Sequence, residues 1–549
     1  MSADWLRNQT VGGVLEKNAR LLPNLEAMVY PGPDRRYTWA GLNAEVDCLA
    51  KGLMALGVTK GDRVALWAGN VPQWLTVMYA AAKIGAVLIT VNTHYRQKEI
   101  NYLLSQSEAD YLVMMESFRG YSYVEAIRSI VPELSGAGPG NLASAALPRL
   151  KKIVFLGPSP GPGFHGYEEV TAMAEKTTAA DFEARRGSLD PDDVINMQYT
   201  SGTTGLPKGV MLTHQNIVTN GYWIGRRQNL TEHDRICLPV PLFHCFGLVL
   251  GAMAALNHGS AMVVLDIYSS LDILGNVEKE KCTAIYGVPT VFISLLEQKS
   301  FSRFDLSSLR TGIMAGAPCP VSTMSQVIER MGARDITICY GLTETSPVVA
   351  QTTPEDNLVK RTRTVGRPMP GVEIKVVDPE TGASRPAGAI GEVLVRGYVT
   401  MKGYFRMPEA TAKTIDSDGW LHTGDLGCLD EDGFLVITGR WKDMIIRAGE
   451  NIYPQEVEEY LRLMPGVSDA QVVAVPSKLH GEELGAFLLV KEDSPDLTVK
   501  EVKAYLRPLI SGYKIPRYVK TLRQYPMTAS GKIQKIKLRE MAADLWVKE

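Results

Sequence analysis

The sequence predicts an α/β protein: a large N-terminal domain of β/α subdomains plus a small distorted β-barrel, followed by a small α+β C-terminal domain. Three observations predict it. Short apolar runs alternate with amphipathic stretches over much of the chain, the pattern of parallel sheets covered by helices. From about 365 to 439 the texture changes to short alternating strands with Gly-rich turns, which reads as a small barrel or a distorted sheet. A polar junction at 440–443 then divides two β-like runs, and strand, helix and strand patterns resume beyond it. At 549 residues the chain is too long for one compact core. Residues 1–439 therefore read as the N-terminal domain, 440–443 as the junction and 444–549 as the C-terminal domain.

Taken in order, 63–67 is strand-like, 71–84 helix-like, and 86–91 follows as a buried strand; strand-like runs recur at 152–156, 261–265 and 284–288. The longest apolar stretch, 245–256, falls short of the roughly 20 residues that a bilayer crossing needs, so it reads as a buried helix. The Pro/Gly/Ser-rich segments 136–140 and 157–163 read as surface loops. Past the junction, 453–464 reads as a helix. Pro454 suits its first turn, and Glu456, Glu458 and Glu459 lie where the helix dipole favours negative charge.

Composition narrows the function. Apolar residues are 45% and charged residues 21% of the chain, ordinary values for a globular protein. A formal charge of -2 gives no basic field for nucleic acid or an anionic membrane, so a polyanionic ligand needs a local site. Seven scattered cysteines without a C-x-x-C pair argue against a disulfide framework or a structural zinc. The first residues carry an early acid and no apolar run. The expectation is a cytoplasmic protein, monomeric or homodimeric, with no nucleic-acid partner and no transmembrane segment.

The most informative stretch is Tyr199-Thr200-Ser201-Gly202-Thr203-Thr204-Gly205-Leu206-Pro207-Lys208-Gly209. A triphosphate needs close backbone N–H groups, hydroxyl donors and a cation. The glycines allow close approach, Thr200, Ser201, Thr203 and Thr204 supply hydroxyls, and Lys208 supplies the charge. A flexible linker would not end in Pro-Lys-Gly and return at once to an apolar run. Nor is this a Walker A loop, which needs Gly-Lys followed by Ser or Thr; here Pro207 precedes Lys208 and Gly209 follows it.

This run resembles the signature of the adenylate-forming superfamily, which includes acyl-CoA synthetases, aryl-CoA ligases and firefly-type luciferases. The resemblance covers essentially the whole chain, with several motifs in the family's order. It implies that in Tyr340-Gly341-Leu342-Thr343-Glu344 the tyrosine stacks on adenine, Thr343 contacts the α-phosphate and Glu344 holds Mg2+, with Thr204 also facing the metal. A hard cation bridging phosphates suits a carboxylate oxygen. By the same resemblance Gly316-Ala317-Pro318 lines the adenine edge, Asp425 receives the ribose hydroxyls, and Arg440 reaches ribose or phosphates. The resemblance further implies that Lys442 is the hinge of a mobile C-terminal lid, that Lys532 stabilises charge during adenylation, and that the loop at 448–451, with Gly449, replaces it for the second step. Pro241-Leu242-Phe243-His244 resembles the segment bordering the carboxylate pocket, which makes His244 a candidate for the catalytic site, although a lone His on an apolar stretch is commonly a core residue.

The acyl pocket should be walled by Tyr222, Phe243, Val288, Met314, Pro347 and Val348, which are apolar apart from one phenol. No basic residue stands among them for a second carboxylate and no Asp for an ammonium group, so the expected acid is a hydrophobic monocarboxylate: medium-chain, alicyclic or aromatic. The expected activity is that of an AMP-forming acyl-CoA synthetase using ATP, Mg2+ and coenzyme A. The rival expectations are an acyl-AMP ligase that loads a carrier protein and a non-catalytic nucleotide-binding homologue.

Overall fold

Side chains that alternate along each strand decide how the layers stack. Val64 and Leu66 enter one core cluster, Ala65 and Trp67 another, as the two-residue period of a strand requires. The computed structural model describes residues 4–136, 138, 142–157, 161–200, 206–266, 269–448, 450–477, 479–490, 494–528 and 531–547. In it these two clusters cover the two faces of an eight-stranded sheet. The strand order is Gly403–Tyr404, Lys208–Thr213, Val194–Thr200, Val87–Thr90, Arg63–Trp67, Tyr111–Met114, Lys152–Phe155 and Phe164–Gly166. The six strands from Val194–Thr200 onward run parallel, and the two before them are antiparallel.

A nine-stranded sheet lies across the first cluster. It contributes Met28, Ile236, Tyr286 and Ile313 to that cluster, so the helices Trp39–Leu56, Pro72–Lys83 and His214–Arg226 pack between the two sheets. Its far face carries a third cluster with Ile285, Phe292, Met314 and Ile338. The apolar run read as a buried helix is one, but Phe246–Met253 is wound as a π-helix before Ala254–His258 continues as α. A Cβ on Gly247 in its first turn would stand 2.3 Å from the Pro241 carbonyl oxygen, so the chain enters this helix only through a glycine. Of the expected surface loops, the described parts of 136–140 and 161–162 are exposed, and Gly163 is buried.

The region read as a barrel or distorted sheet is the latter. Among the described residues its four strands, Val372–Val377, Gly391–Gly397, Leu421–Leu429 and Leu435–Arg440, pair antiparallel in that order and remain open at both edges. Register shifts at Glu392/Leu394 and Leu426/Gly427 bend it. A single 3-10 turn, Trp441–Asp443, leads to a five-stranded sheet with its own two clusters. The helix Pro454–Arg462 begins with Pro454 in its first turn, as the sequence indicates. No helix among the described residues is long and apolar enough to cross a membrane.

His214, which opens the helix His214–Arg226, is fully buried, and its Nδ1 accepts the Val11 N–H at 3.1 Å. Burial pushes its pKa from 6.5 down to about 4. Below pH 6.5 the unfolded chain therefore binds a proton that the fold refuses. Stability should fall from about pH 6.5 toward pH 4, by about 1.4 kcal/mol per unit from this group. His214→Asn keeps an acceptor for Val11 without the titration. Its unfolding temperature should drop less than wild type between pH 7 and pH 5; parallel pH profiles would remove His214 as a cause.

Candidate active site

Two strands from different sheets end at one cleft. Val194–Thr200 arrives from the eight-stranded sheet and Asp335–Gly341 from the nine-stranded one, followed by the turn Thr343–Thr345. Thr200 Oγ1 stands 3.5 Å from Glu344 Oε1. The turn closes tightly because residue 341 has no side chain: a Cβ there would lie 1.7 Å from the Pro347 carbonyl oxygen. Tyr404 donates its hydroxyl to the same Glu344 oxygen at 2.8 Å, and the Lys208 ammonium sits over its ring, 4.5 Å from the centroid. Tyr404 thus joins the carboxylate to the lysine that ends the phosphate run.

A second group lies on the open sheet. Tyr340 donates its hydroxyl to Asp425 Oδ2 at 2.6 Å, and Arg440 Nε donates to Asp425 Oδ1 at 3.1 Å. Asp425 is only 5% exposed. Burial raises its pKa in spite of the arginine and the phenol, and burial with the charge of Asp425 pushes the Tyr340 phenol well up. In a third group, Cys245 Sγ lies 3.6 Å from His244 Nδ1 and 3.7 Å from Thr343 Oγ1. His244 Nδ1 accepts the Phe246 N–H at 3.1 Å, so the proton of the neutral ring belongs on Nε2. Burial, aided by the charge of Lys532, pushes the His244 pKa down to about 3, which favours the neutral ring.

Lys532 comes from the C-terminal part of the chain. A short hairpin presents it: Thr528 N–H donates to the Lys532 carbonyl at 2.7 Å, Lys532 N–H to Thr528 Oγ1 at 3.0 Å, and Gln534 N–H to the Pro526 carbonyl at 2.8 Å. Gly316, at φ +88°, makes room for the side chain, since a Cβ there would stand 3.2 Å from both Lys532 Cε and Val288 Cγ1. Burial lowers the pKa of Lys532. Arg440 adds to that effect, and Cys245, Asp425 and Glu344 oppose it. One lysine therefore senses all three groups.

Of the residues singled out from sequence, the structure gathers Thr200, Lys208, His244, Val288, Gly316, Tyr340, Gly341, Thr343, Glu344, Asp425, Arg440 and Lys532 around this cleft. Ala317 and Pro318 are exposed beside Gly316, and Lys442 is exposed on the 441–443 turn. Ser201, Gly202, Thr203, Thr204, Gly205 and Gly449 lie outside the described residues. Phe243 and Val348 pack in the same core cluster as Val288, and Pro347 is buried beside them. Tyr222 also packs on that cluster, stacked on His258 and edge-on to Trp5. Met314 packs apart from Phe243, Val288 and Val348. Strand alternation sends it to the far face with Ile285 and Phe292, while Ile313 and Ala315 face the shared cluster. Tyr404 escaped the sequence reading, and Cys245, next to His244, had no role of its own in it. The only local signal for Tyr404 is Gly403 before it, and its partner Glu344 lies 60 residues away.

A cleft that brings Thr200, Lys208 and Glu344 to two strand ends, with a buried carboxylate at Asp425 and a lysine inserted from the C-terminal part, on this two-part α/β frame, is the arrangement of an adenylate-forming enzyme. The chain belongs to the AMP-binding enzyme family: it matches the family over residues 15–405 and the family's C-terminal domain over 456–532. It is 50% identical over 541 residues, 98% of each chain, to YngI of Bacillus subtilis (strain 168), which is provisionally named an acyl-CoA synthetase. It is 39% identical to the Homo sapiens medium-chain acyl-CoA ligase ACSF2, mitochondrial, over 97% of this chain and 88% of that one. Among solved structures, the anthranilate CoA ligase AuaEII in complex with anthranoyl-AMP matches with a TM-score of 0.87 at 28% identity, covering 100% of both chains.

Tyr404 separates into two testable parts. Tyr404→Phe keeps the ring beneath Lys208 but loses a hydrogen bond to a charged group, about 1.5–3 kcal/mol. Tyr404→Leu also loses the cation–π contact, about 0.5–2 kcal/mol. ATP–pyrophosphate exchange should slow in the order Tyr, Phe, Leu; a Phe variant as fast as wild type would show that the bond to Glu344 contributes nothing.

Proposed function

We propose that the protein is an AMP-forming acyl-CoA synthetase that activates a hydrophobic monocarboxylate, with a medium-chain acid as the preferred substrate. The observation that carries this reading is the seat of Lys532 in the Gly316 gap, within the field of Glu344, Asp425 and Arg440. Both the YngI and ACSF2 relatives carry acyl-CoA synthetase or ligase names, and ACSF2 is named for medium-chain acids. The apolar setting of Val288, Phe243 and Val348 agrees with such an acid.

A carboxylic acid is already ionised at neutral pH, so it needs alignment and charge neutralisation rather than a general base. Its oxygen attacks the α-phosphorus of ATP; an acyl–phosphate bond forms, and pyrophosphate leaves with the electrons of the broken P–O bond. Lys208 and the hydroxyl run hold the outgoing phosphates, and Lys532 offers its ammonium to the charge that builds between carboxylate and α-phosphate. Neutral His244 adds no second positive charge, and its Nε2–H is the ring's donor. Asp425 and Arg440 take the ribose side and Tyr340 the adenine. In the second step the thiol of coenzyme A loses its proton and attacks the acyl carbon, and AMP leaves.

Mg2+ fits the residues present in one form. Glu344 supplies a carboxylate beside the Thr200 hydroxyl, both hard oxygen donors, and the described residues hold no cluster of three or more His, Cys, Asp or Glu that would cage a metal. That donor set suits an ion carried in by the nucleotide phosphates, where it would neutralise phosphate charge. The C-terminal lid is read as turning about Lys442 between the two steps.

Pyrophosphate release should be sustained only when ATP, Mg2+, coenzyme A and a medium-chain acid are all supplied, with a thioester as product. Product on a carrier protein and none on coenzyme A would assign the enzyme to carrier loading. Lys532→Ala should cut acyl-AMP formation by at least a hundredfold, as expected for a lost charge stabiliser. It should spare thioester formation from supplied acyl-AMP; equal loss in both half-reactions contradicts the role given to Lys532.

A further inference from the structure

The 440–443 junction is gripped from both sides. Upstream, Arg440 is held to the open sheet: it pairs with Asp425 through the strand backbone and through its Nε at 3.1 Å. Downstream, Arg539 of the helix Lys535–Trp546 forms an ion pair with Asp443 and donates to the Lys442 carbonyl at 3.0 Å. Only Trp441 and Lys442 lie between the two grips, and both are exposed. The turn is closed by a Met444 N–H to Arg440 carbonyl bond of 3.1 Å.

The helix that carries Arg539 is itself fastened. One turn before Arg539, Lys535 pairs with Glu458 Oε1 at 2.9 Å; that carboxylate is 1% exposed and also holds Arg462 and the Val472 N–H. Lys532 stands three residues further back, in the hairpin that feeds this helix. The downstream grip and the lysine therefore sit on adjoining elements of the C-terminal part, the helix Lys535–Trp546 and the hairpin that leads into it.

We propose that Arg539 is a positioning residue: it fixes the peptide between Lys442 and Asp443 to the C-terminal domain, so that rotation of this domain is confined to the backbone torsions of Trp441 and Lys442. The inference rests on reading Lys442 as the hinge and Lys532 as the adenylation lysine. Its physical basis is the position of the Lys442 carbonyl, which lies beyond that residue's φ and ψ. Holding that oxygen and the next side chain removes the soft torsions of Asp443, since a residue has only two. A pivot of two residues defines each end-state sharply. Each further residue released adds two torsions and dilutes the productive orientation in both steps.

The test uses the full-length enzyme with Arg539→Gln. Acyl-AMP formation is followed by ATP–pyrophosphate exchange, and thioester formation from supplied acyl-AMP with coenzyme A. Both should fall by a similar factor, about three- to tenfold, a size typical of residues that modulate coupling without touching ligand. Backbone hydrogen exchange should quicken at 440–444 and stay unchanged in the strand Gly481–Val490. Arg539→Lys should recover part of the loss, and Asp443→Asn should add little to Arg539→Gln. Unchanged exchange at 440–444, exchange that quickens throughout Gly481–Val490, or a loss confined to acyl-AMP formation would each overturn the clamp. Lys442→Pro tests the underlying reading separately. If it blocks the two-step cycle while Arg539→Gln behaves as wild type, the hinge stands and the clamp does not; if Lys442→Pro turns over normally, the hinge reading itself fails.

Discussion

Lys532 enters the cleft across Gly316, which has no side chain. A Cβ at 316 would stand 3.2 Å from the lysine Cε and from Val288, on a backbone at φ +88° that other residues rarely adopt. That gap is one place where the two parts of the protein meet. On one side stand the strand ends that bring Thr200, Tyr340 and Glu344 together; on the other stands a hairpin and helix anchored through Lys535 to buried Glu458. A side chain at 316 would press on Lys532 and Val288 and shift the lysine against Asp425 and Glu344.

The balance of those charges follows from burial. Asp425 and Lys532 are both shifted toward their neutral forms, the direction expected when a charge leaves water. Each is restrained by partners of opposite sign: Arg440 for Asp425, and Asp425 with Glu344 for Lys532. His244 is held toward its neutral form by desolvation and by the charge of Lys532, and its bond from the Phe246 N–H sets which ring nitrogen carries hydrogen. The net charge is small because 58 Lys and Arg nearly balance 60 Asp and Glu, so any field that favours a polyanion has to be local, as at Lys208, Arg440 and Lys532.

Much of this was legible along the chain. The β/α alternation, the family motifs and the change of texture after 365 depend on neighbours in sequence, and periodicity and spacing report such local patterns directly. The barrel was ambiguous for a related reason: alternation predicts strands, but closure depends on whether edges meet, and register shifts leave these open. Met314 shows the limit within one strand. Its neighbours Ile313 and Ala315 face the shared core, and no property of methionine reveals which face of a doubly buried strand it takes.

The sequence by itself determined the fold class, the family and most of the polar residues of the cleft, because short motifs carry their own chemistry in a fixed order. Only the tertiary structure decided that Tyr404 links Lys208 to Glu344, that Cys245 stands between His244 and Thr343, and that Arg539 grips the junction. Each of these joins residues remote in sequence or on separate elements. Such a contact depends on how sheets and helices pack, and packing is settled by the burial of whole faces rather than by any local pattern.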